Sequence, residues 1–133
     1  MTGGGPGIME AANKGAVRAK GESVGLNIQL PFEQRTNKYV KKGIGFHYFF
    51  TRKIIMSFSA QAYVYFPGGF GTLDEFYELI TLMQTDKIDR SPVILIGVEY
   101  WSGLMEWMRK VVLKQHKALD QQDLDLLCVT DDI

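Results

Sequence analysis

Apolar residues change period along this chain, and each change marks an element. Ala62-Tyr63-Val64-Tyr65-Phe66 is an aromatic and β-branched run ended by Pro67-Gly68-Gly69, which predicts a buried strand and a turn. Leu73, Phe76, Tyr77, Ile80 and Met83 then recur at helical spacing. Upstream, Ile8, Met9, Ala12, Ala16 and Ala19 predict a helix with Pro6 near its start and Glu10 at its positive end, stopped by Gly21. Ser23 to Leu30 alternates as a strand, and Pro31-Phe32-Glu33-Gln34-Arg35-Thr36-Asn37 follows as a polar loop. Gly43 to Tyr48 reads as a short strand and Phe49 to Ser59 as a helix. Val93 to Val98 is an apolar strand, after which Trp101, Leu104, Met105, Trp107, Met108 and Val111 predict a helix with its apolar face on the sheet. Asp120 to Leu127 reads as a short acidic helix before a closing strand end, with Thr130, Asp131 and Asp132 at the surface.

Strands that alternate with helices predict an α/β fold with a mainly parallel sheet and a binding crevice at the carboxyl ends of the strands. Residues 1–133 are expected to form one domain, since no repeat, linker or low-complexity tract divides them. The start is abrupt: Gly3-Gly4-Gly5-Pro6-Gly7 should follow a strand, yet only Met1-Thr2 precede it. The domain is therefore expected to be incomplete at its N-terminus.

Two glycine turns that open helices suggest a shared anion, because backbone N–H groups can approach a ligand at the positive end of a helix. Phosphate is the natural candidate. The chain has no Gly-Lys-Ser/Thr for a Walker loop, and Ile8 stands where a dinucleotide fingerprint needs its third glycine. Arg52 and Lys53 are the only charges in the helix from Phe49 to Ser59, and neighbours on a helix point ~100° apart, so one of them is expected inside. Such a cation needs an anionic partner, either a structural ion pair or a ligand. Thr72-Leu73-Asp74-Glu75 matches a capping box, so Glu75 is open to a capping or a catalytic role. His47 reads as a partly buried strand residue and His116 as a surface one.

Composition narrows the partners. Fifteen basic residues balance fifteen acidic ones, which gives no electrostatic reason to expect nucleic acid or an anionic membrane. Cys128 is the single cysteine, so an internal disulfide is excluded, and with only two histidines so are the usual zinc spacings; no metal or cofactor is expected. A cytoplasmic setting fits, and no apolar run approaches the ~20 residues of a membrane span.

Pro67-Gly68-Gly69-Phe70-Gly71-Thr72-Leu73-Asp74-Glu75 resembles the Pro-Gly-Gly-x-Gly-Thr-x-x-Glu signature of the LOG ("lonely guy") family of cytokinin-activating phosphoribohydrolases and their bacterial relatives. Thr2-Gly3-Gly4-Gly5-Pro6-Gly7-Ile8-Met9-Glu10-Ala11-Ala12-Asn13 and Tyr48-Phe49-Phe50-Thr51-Arg52-Lys53 resemble two further motifs, in the family's order. Members often carry the label "lysine decarboxylase", but nothing in this sequence looks like a pyridoxal-phosphate lysine site.

The resemblance implies a Rossmann-like three-layer sandwich, lacking here its N-terminal strand-helix-strand portion, and a homodimer. It implies a nucleotide 5′-monophosphate nucleosidase, active on substrates such as AMP, that releases a free base and ribose 5-phosphate. Arg52 and Glu75 are the implied catalytic residues, with Gly4, Gly5, Gly7, Glu33, Asn37, Lys53, Gly68, Gly69, Gly71 and Thr72 as substrate contacts. The alternative is a nucleotide- or phosphate-binding carrier on the same fold without hydrolysis.

Overall fold

The computed structural model describes residues 1–30 and 35–132. They form an α/β structure with parallel strands in open sheets, a Rossmann-like arrangement, in two compact units, Met1–Ala60 and Gln61–Ile133.

In the first unit, helix α1 (Ile8–Arg18) is followed by strand β1 (Val24–Ile28), strand β2 (Lys42–Phe46) and helix α2 (Phe49–Phe58). The two strands pair in parallel, with Leu26 opposite Ile44. Thr2 extends this sheet. It bridges Gly25 in parallel, its N–H donating to the Val24 carbonyl at 3.0 Å and its carbonyl accepting from Leu26 at 2.8 Å. The first glycine turn therefore does leave a sheet edge, although Met1-Thr2 is too short to show a strand period.

The second unit runs β3 (Tyr63–Tyr65), α3 (Phe70–Gln84), β4 (Val93–Ile96), α4 (Val98–Trp107), a π-helical continuation over Met108–Gln115, α5 (Gln121–Leu124) and β5 (Leu127–Thr130). Its three strands are parallel in the order β3-β4-β5, with Tyr65 opposite Leu95 and Leu95 opposite Val129. Alternation puts Val93 and Leu95 on the face that meets the core, where Phe76, Leu79, Met83, Trp101, Met105, Met108 and Leu124 are also buried. Phe76 is the hub of the aromatic packing, with ring centroids 5.5 Å from Tyr65, 5.1 Å from Tyr77 and 5.4 Å from Trp101.

Some expectations need correction. Trp107 is not core: Trp101, Met105 and Met108 follow the helical repeat and are buried, whereas Trp107, two positions past Met105, faces away and is 51% exposed. His47 lies just beyond β2 and is exposed. Arg52 and Lys53 are both half-buried, rather than one inside and one out, and Arg52 Nε is itself buried. The Thr72–Glu75 capping box is not formed. Helix α3 begins earlier, capped by the Gly69 backbone with no side-chain cap, so Thr72 already lies within its first turn.

Candidate functional site

The residues expected at the site divide between the two units. In the first unit the glycine turn is held by a web of side-chain amides. Gly4 and Gly7 have φ of 74° and 71°, the left-handed region that glycine tolerates. Asn37 binds the turn from the loop after β1: its backbone N–H donates to the Gly4 carbonyl at 2.9 Å, and its Nδ2 donates to the carbonyls of Gly4 and Gly5 at 3.1 and 3.0 Å. The same Nδ2 donates to Asn13 Oδ1 at 2.9 Å, while Asn37 Oδ1 accepts from the Tyr39 N–H at 3.1 Å. Asn37 thus holds the turn by two consecutive carbonyls, those of Gly4 and Gly5.

Asn13 was not singled out by the sequence, yet it is the centre of this web. It is 1% exposed on the inner face of α1, accepts from Thr2 Oγ1 at 2.7 Å and donates to Ser23 Oγ at 2.9 Å. Thr2 Oγ1 in turn accepts the Gly4 N–H at 3.0 Å. A polar residue among Met9, Ala12 and Ala16 was the available signal: an amide on an apolar stripe must find hydrogen bonds inside.

Arg52 reaches the same turn from α2. A Cβ added to Gly3 would come within 3.4 Å of Arg52 Nη1, and the Arg52 guanidinium carbon lies 5.6 Å from the Phe49 ring centroid. Lys53 is its half-buried neighbour. Glu33 lies outside the described residues.

In the second unit, Pro67-Gly68-Gly69 leaves the carboxyl end of β3 and α3 opens at Phe70. The first helical bond runs from the Leu73 N–H to the Gly69 carbonyl at 3.1 Å. The N–H groups from Gly69 to Thr72 therefore precede the intrahelical ladder, at the positive end of a 15-residue helix. The glycines of this turn differ in kind. A Cβ on Gly68 would stand 2.8 Å from Thr72 Cβ, so the fold itself demands glycine there. A Cβ on Gly69 or Gly71 would meet nothing within 4 Å. Packing gives no reason for glycine at those two positions; close approach of a ligand to the backbone would give one.

Glu75 sits one turn further along α3 and is half-buried. The Tyr65 hydroxyl donates to the Glu75 backbone carbonyl at 3.3 Å. Burial pushes the Tyr65 phenol well above its usual range, and the negative charge of Glu75 adds to that. The Tyr65 hydrogen bond thus ties β3 to the second turn of α3. Among the described residues no three His, Cys, Asp or Glu side chains gather closely enough to hold a metal ion.

The family model described as possible lysine decarboxylase matches residues 9–133. Similar proteins include a cytokinin riboside 5′-monophosphate phosphoribohydrolase of Arabidopsis thaliana (LOG7), 42% identical over 62 residues, 46% of this chain and 28% of that protein. A probable cytokinin riboside 5′-monophosphate phosphoribohydrolase of Oryza sativa subsp. japonica (LOGL5) is 39% identical over 62 residues, 46% of this chain and 25% of the relative. A bifunctional cytokinin biosynthesis protein of Fusarium pseudograminearum is 32% identical over 78 residues, 59% of this chain and 16% of the relative. The matched stretch spans less than a third of each of these relatives' own length.

Proposed function

The chain belongs to the family described as possible lysine decarboxylase, the LOG family, and on that premise we propose that it is a phosphoribohydrolase of nucleotide 5′-monophosphates. Water cleaves the N-glycosidic bond, and a free base and ribose 5-phosphate leave. The observation that carries this reading is the turn from Pro67 to Thr72. It presents helix-opening N–H groups at the carboxyl end of a parallel strand, with glycines at 69 and 71 that the packing does not require. The names of the relatives, phosphoribohydrolases of a riboside 5′-monophosphate, point to the same ligand class.

In this reading the backbone of Gly68, Gly69, Gly71 and Thr72 anchors the 5′-phosphate. Binding there, remote from the scissile bond, fixes the sugar for reaction. Glu75 supplies a carboxylate beside the anomeric carbon as positive charge develops on it. Arg52 is the second catalytic group, offering charge to the departing base or to the phosphate. Gly4, Gly5 and Gly7 form the second turn, positioned by Asn37, with Lys53 and Glu33 as further substrate contacts. We also assign a homodimer, supported by the apolar surface of α2, where Phe49, Phe50, Ile54, Ile55 and Phe58 are all exposed. A cytoplasmic setting is supported by the lone cysteine, Cys128. Among the described residues no helix is long and apolar enough to cross a membrane.

The test is base release from AMP by the unmodified chain and by Glu75→Gln. Glutamine keeps the length and shape of the glutamate side chain and removes only its charge, so the variant is expected to fold while turnover falls by ~10²-fold or more. Near-normal turnover in the folded variant would remove Glu75 from the mechanism.

A further inference from the structure

The Gly68 carbonyl is not left to solvent. Tyr100, in the first turn of α4, donates its hydroxyl to that oxygen at 2.6 Å. The ring is held in place from below: it meets Trp101 edge-on with centroids 4.9 Å apart, and Trp101 Nε1 donates to the Ile96 carbonyl at 3.1 Å. The start of α4 is fixed as well. Gly97 turns with φ of 107°, its N–H donates to the Thr130 carbonyl at 3.2 Å, and Asp131 Oδ1 accepts the Val98 N–H at 2.8 Å. Pro67 lies against this turn, where a Cβ on Gly97 would meet Pro67 Cγ at 3.1 Å. The ends of β4 and β5 thus form a platform for the turn that leaves β3.

A trans peptide is planar, so its carbonyl and its N–H point in opposite directions. Tyr100, by holding the Gly68 carbonyl, therefore directs the Gly69 N–H to the opposite side of the turn. Without the hydroxyl, a Gly-Gly peptide has wide freedom to rotate. We propose that Tyr100 is a positioning residue for the phosphate turn, orienting the Gly68–Gly69 peptide before the phosphate arrives. The inference rests on the phosphoribohydrolase reading for its ligand. Tyr100 is 40% exposed and the bond is between neutral groups, so its net weight in folding is small and its weight in preorganisation is what an assay sees.

The experiment compares Tyr100→Phe, which keeps the ring and its contact with Trp101, with Ser102→Ala, which removes a hydroxyl bonded to the Val98 carbonyl on the same helix. Titration with inorganic phosphate, followed by NMR, is expected to show Kd weakened about three- to tenfold in Tyr100→Phe. Ser102→Ala should bind within about twofold of the unmodified chain, and both should melt close to it. With AMP as substrate, KM should rise in Tyr100→Phe by the same factor with kcat little changed. Equal phosphate affinity in Tyr100→Phe and the unmodified chain overturns the proposal, as does an unmodified chain that binds no phosphate. An equal loss in Ser102→Ala overturns it too, because the effect would then belong to α4 as a whole. A chain that binds phosphate but releases no adenine defeats the hydrolase reading alone, and the phosphate titration still decides the role of Tyr100.

Discussion

Replacing Gly68 and Gly71 by alanine should have opposite effects on stability. At Gly68 the new methyl would stand 2.8 Å from Thr72 Cβ and 3.3 Å from its Cγ2, and would overlap its Oγ1. Thr72 is β-branched and sits in the first turn of α3, where few rotamers are open to it, so the relief must come from the backbone. Overpacking of this kind costs about 1–3 kcal/mol. At Gly71 the methyl meets nothing within 4 Å and replaces glycine within a helix. The change there should stabilise by up to about 1 kcal/mol. With roughly 2–8 °C of melting temperature per kcal/mol, Gly68→Ala should melt several degrees lower and Gly71→Ala slightly higher than the unmodified chain. Phosphate binding should suffer in both, since the Gly71 methyl occupies the space through which an anion approaches the N–H groups. Calorimetry beside a phosphate titration reads both effects. A Gly71→Ala chain that binds phosphate as tightly as the unmodified one would refute the assignment of that glycine to ligand approach.

Asn13→Ala should destabilise by about 2–4 kcal/mol, because it removes a buried hub and leaves Thr2 and Ser23 short of partners; an unchanged urea midpoint would contradict that. Tyr65 titrates above its ordinary value of 10.0 in the folded state, so its contribution is complete below that pH and is lost as the pH climbs beyond it. Tyr65→Phe should therefore lessen the alkaline loss of stability, and urea melts above and below pH 10 would show an unchanged loss if Tyr65 were not its source. Light scattering at micromolar concentration should give twice the 15.0 kDa mass of one chain, and Phe58→Glu on the exposed face of α2 should reduce it to the single mass; a monomeric unmodified chain would contradict the assigned dimer.

The strand, turn and helix from Tyr63 to Gln84 were legible because two periods meet there at a glycine turn. The start of α3 was not. Thr72 and Glu75 have the residue types and spacing of a capping box, but the cap falls three positions earlier, on the Gly69 backbone, which leaves no side-chain signature. Trp107 shows the limit of counting apolar residues without fixing the phase of the helix, and the π-helical stretch from Met108 has no periodicity of its own to announce it. Arg52, Asn37 and the glycines were readable as candidates, whereas Asn13 and Tyr100 act through hydrogen bonds to groups far away in sequence, Asn13 to the side chains of Thr2, Ser23 and Asn37 and Tyr100 to the Gly68 carbonyl. Such contacts depend on tertiary placement, which local spacing does not encode.

In the proposed mechanism, phosphate held at the turn from Gly68 to Thr72 makes N-glycosidic cleavage possible. Adenine release from AMP and from adenosine under the same conditions separates that dependence from any other. Free adenine and ribose 5-phosphate are expected from AMP, with kcat/KM for adenosine lower by ~10²-fold or more, because the nucleoside lacks the remote group whose binding positions the sugar. Equal turnover of the two, or no adenine from AMP by a folded chain that binds phosphate, would contradict it.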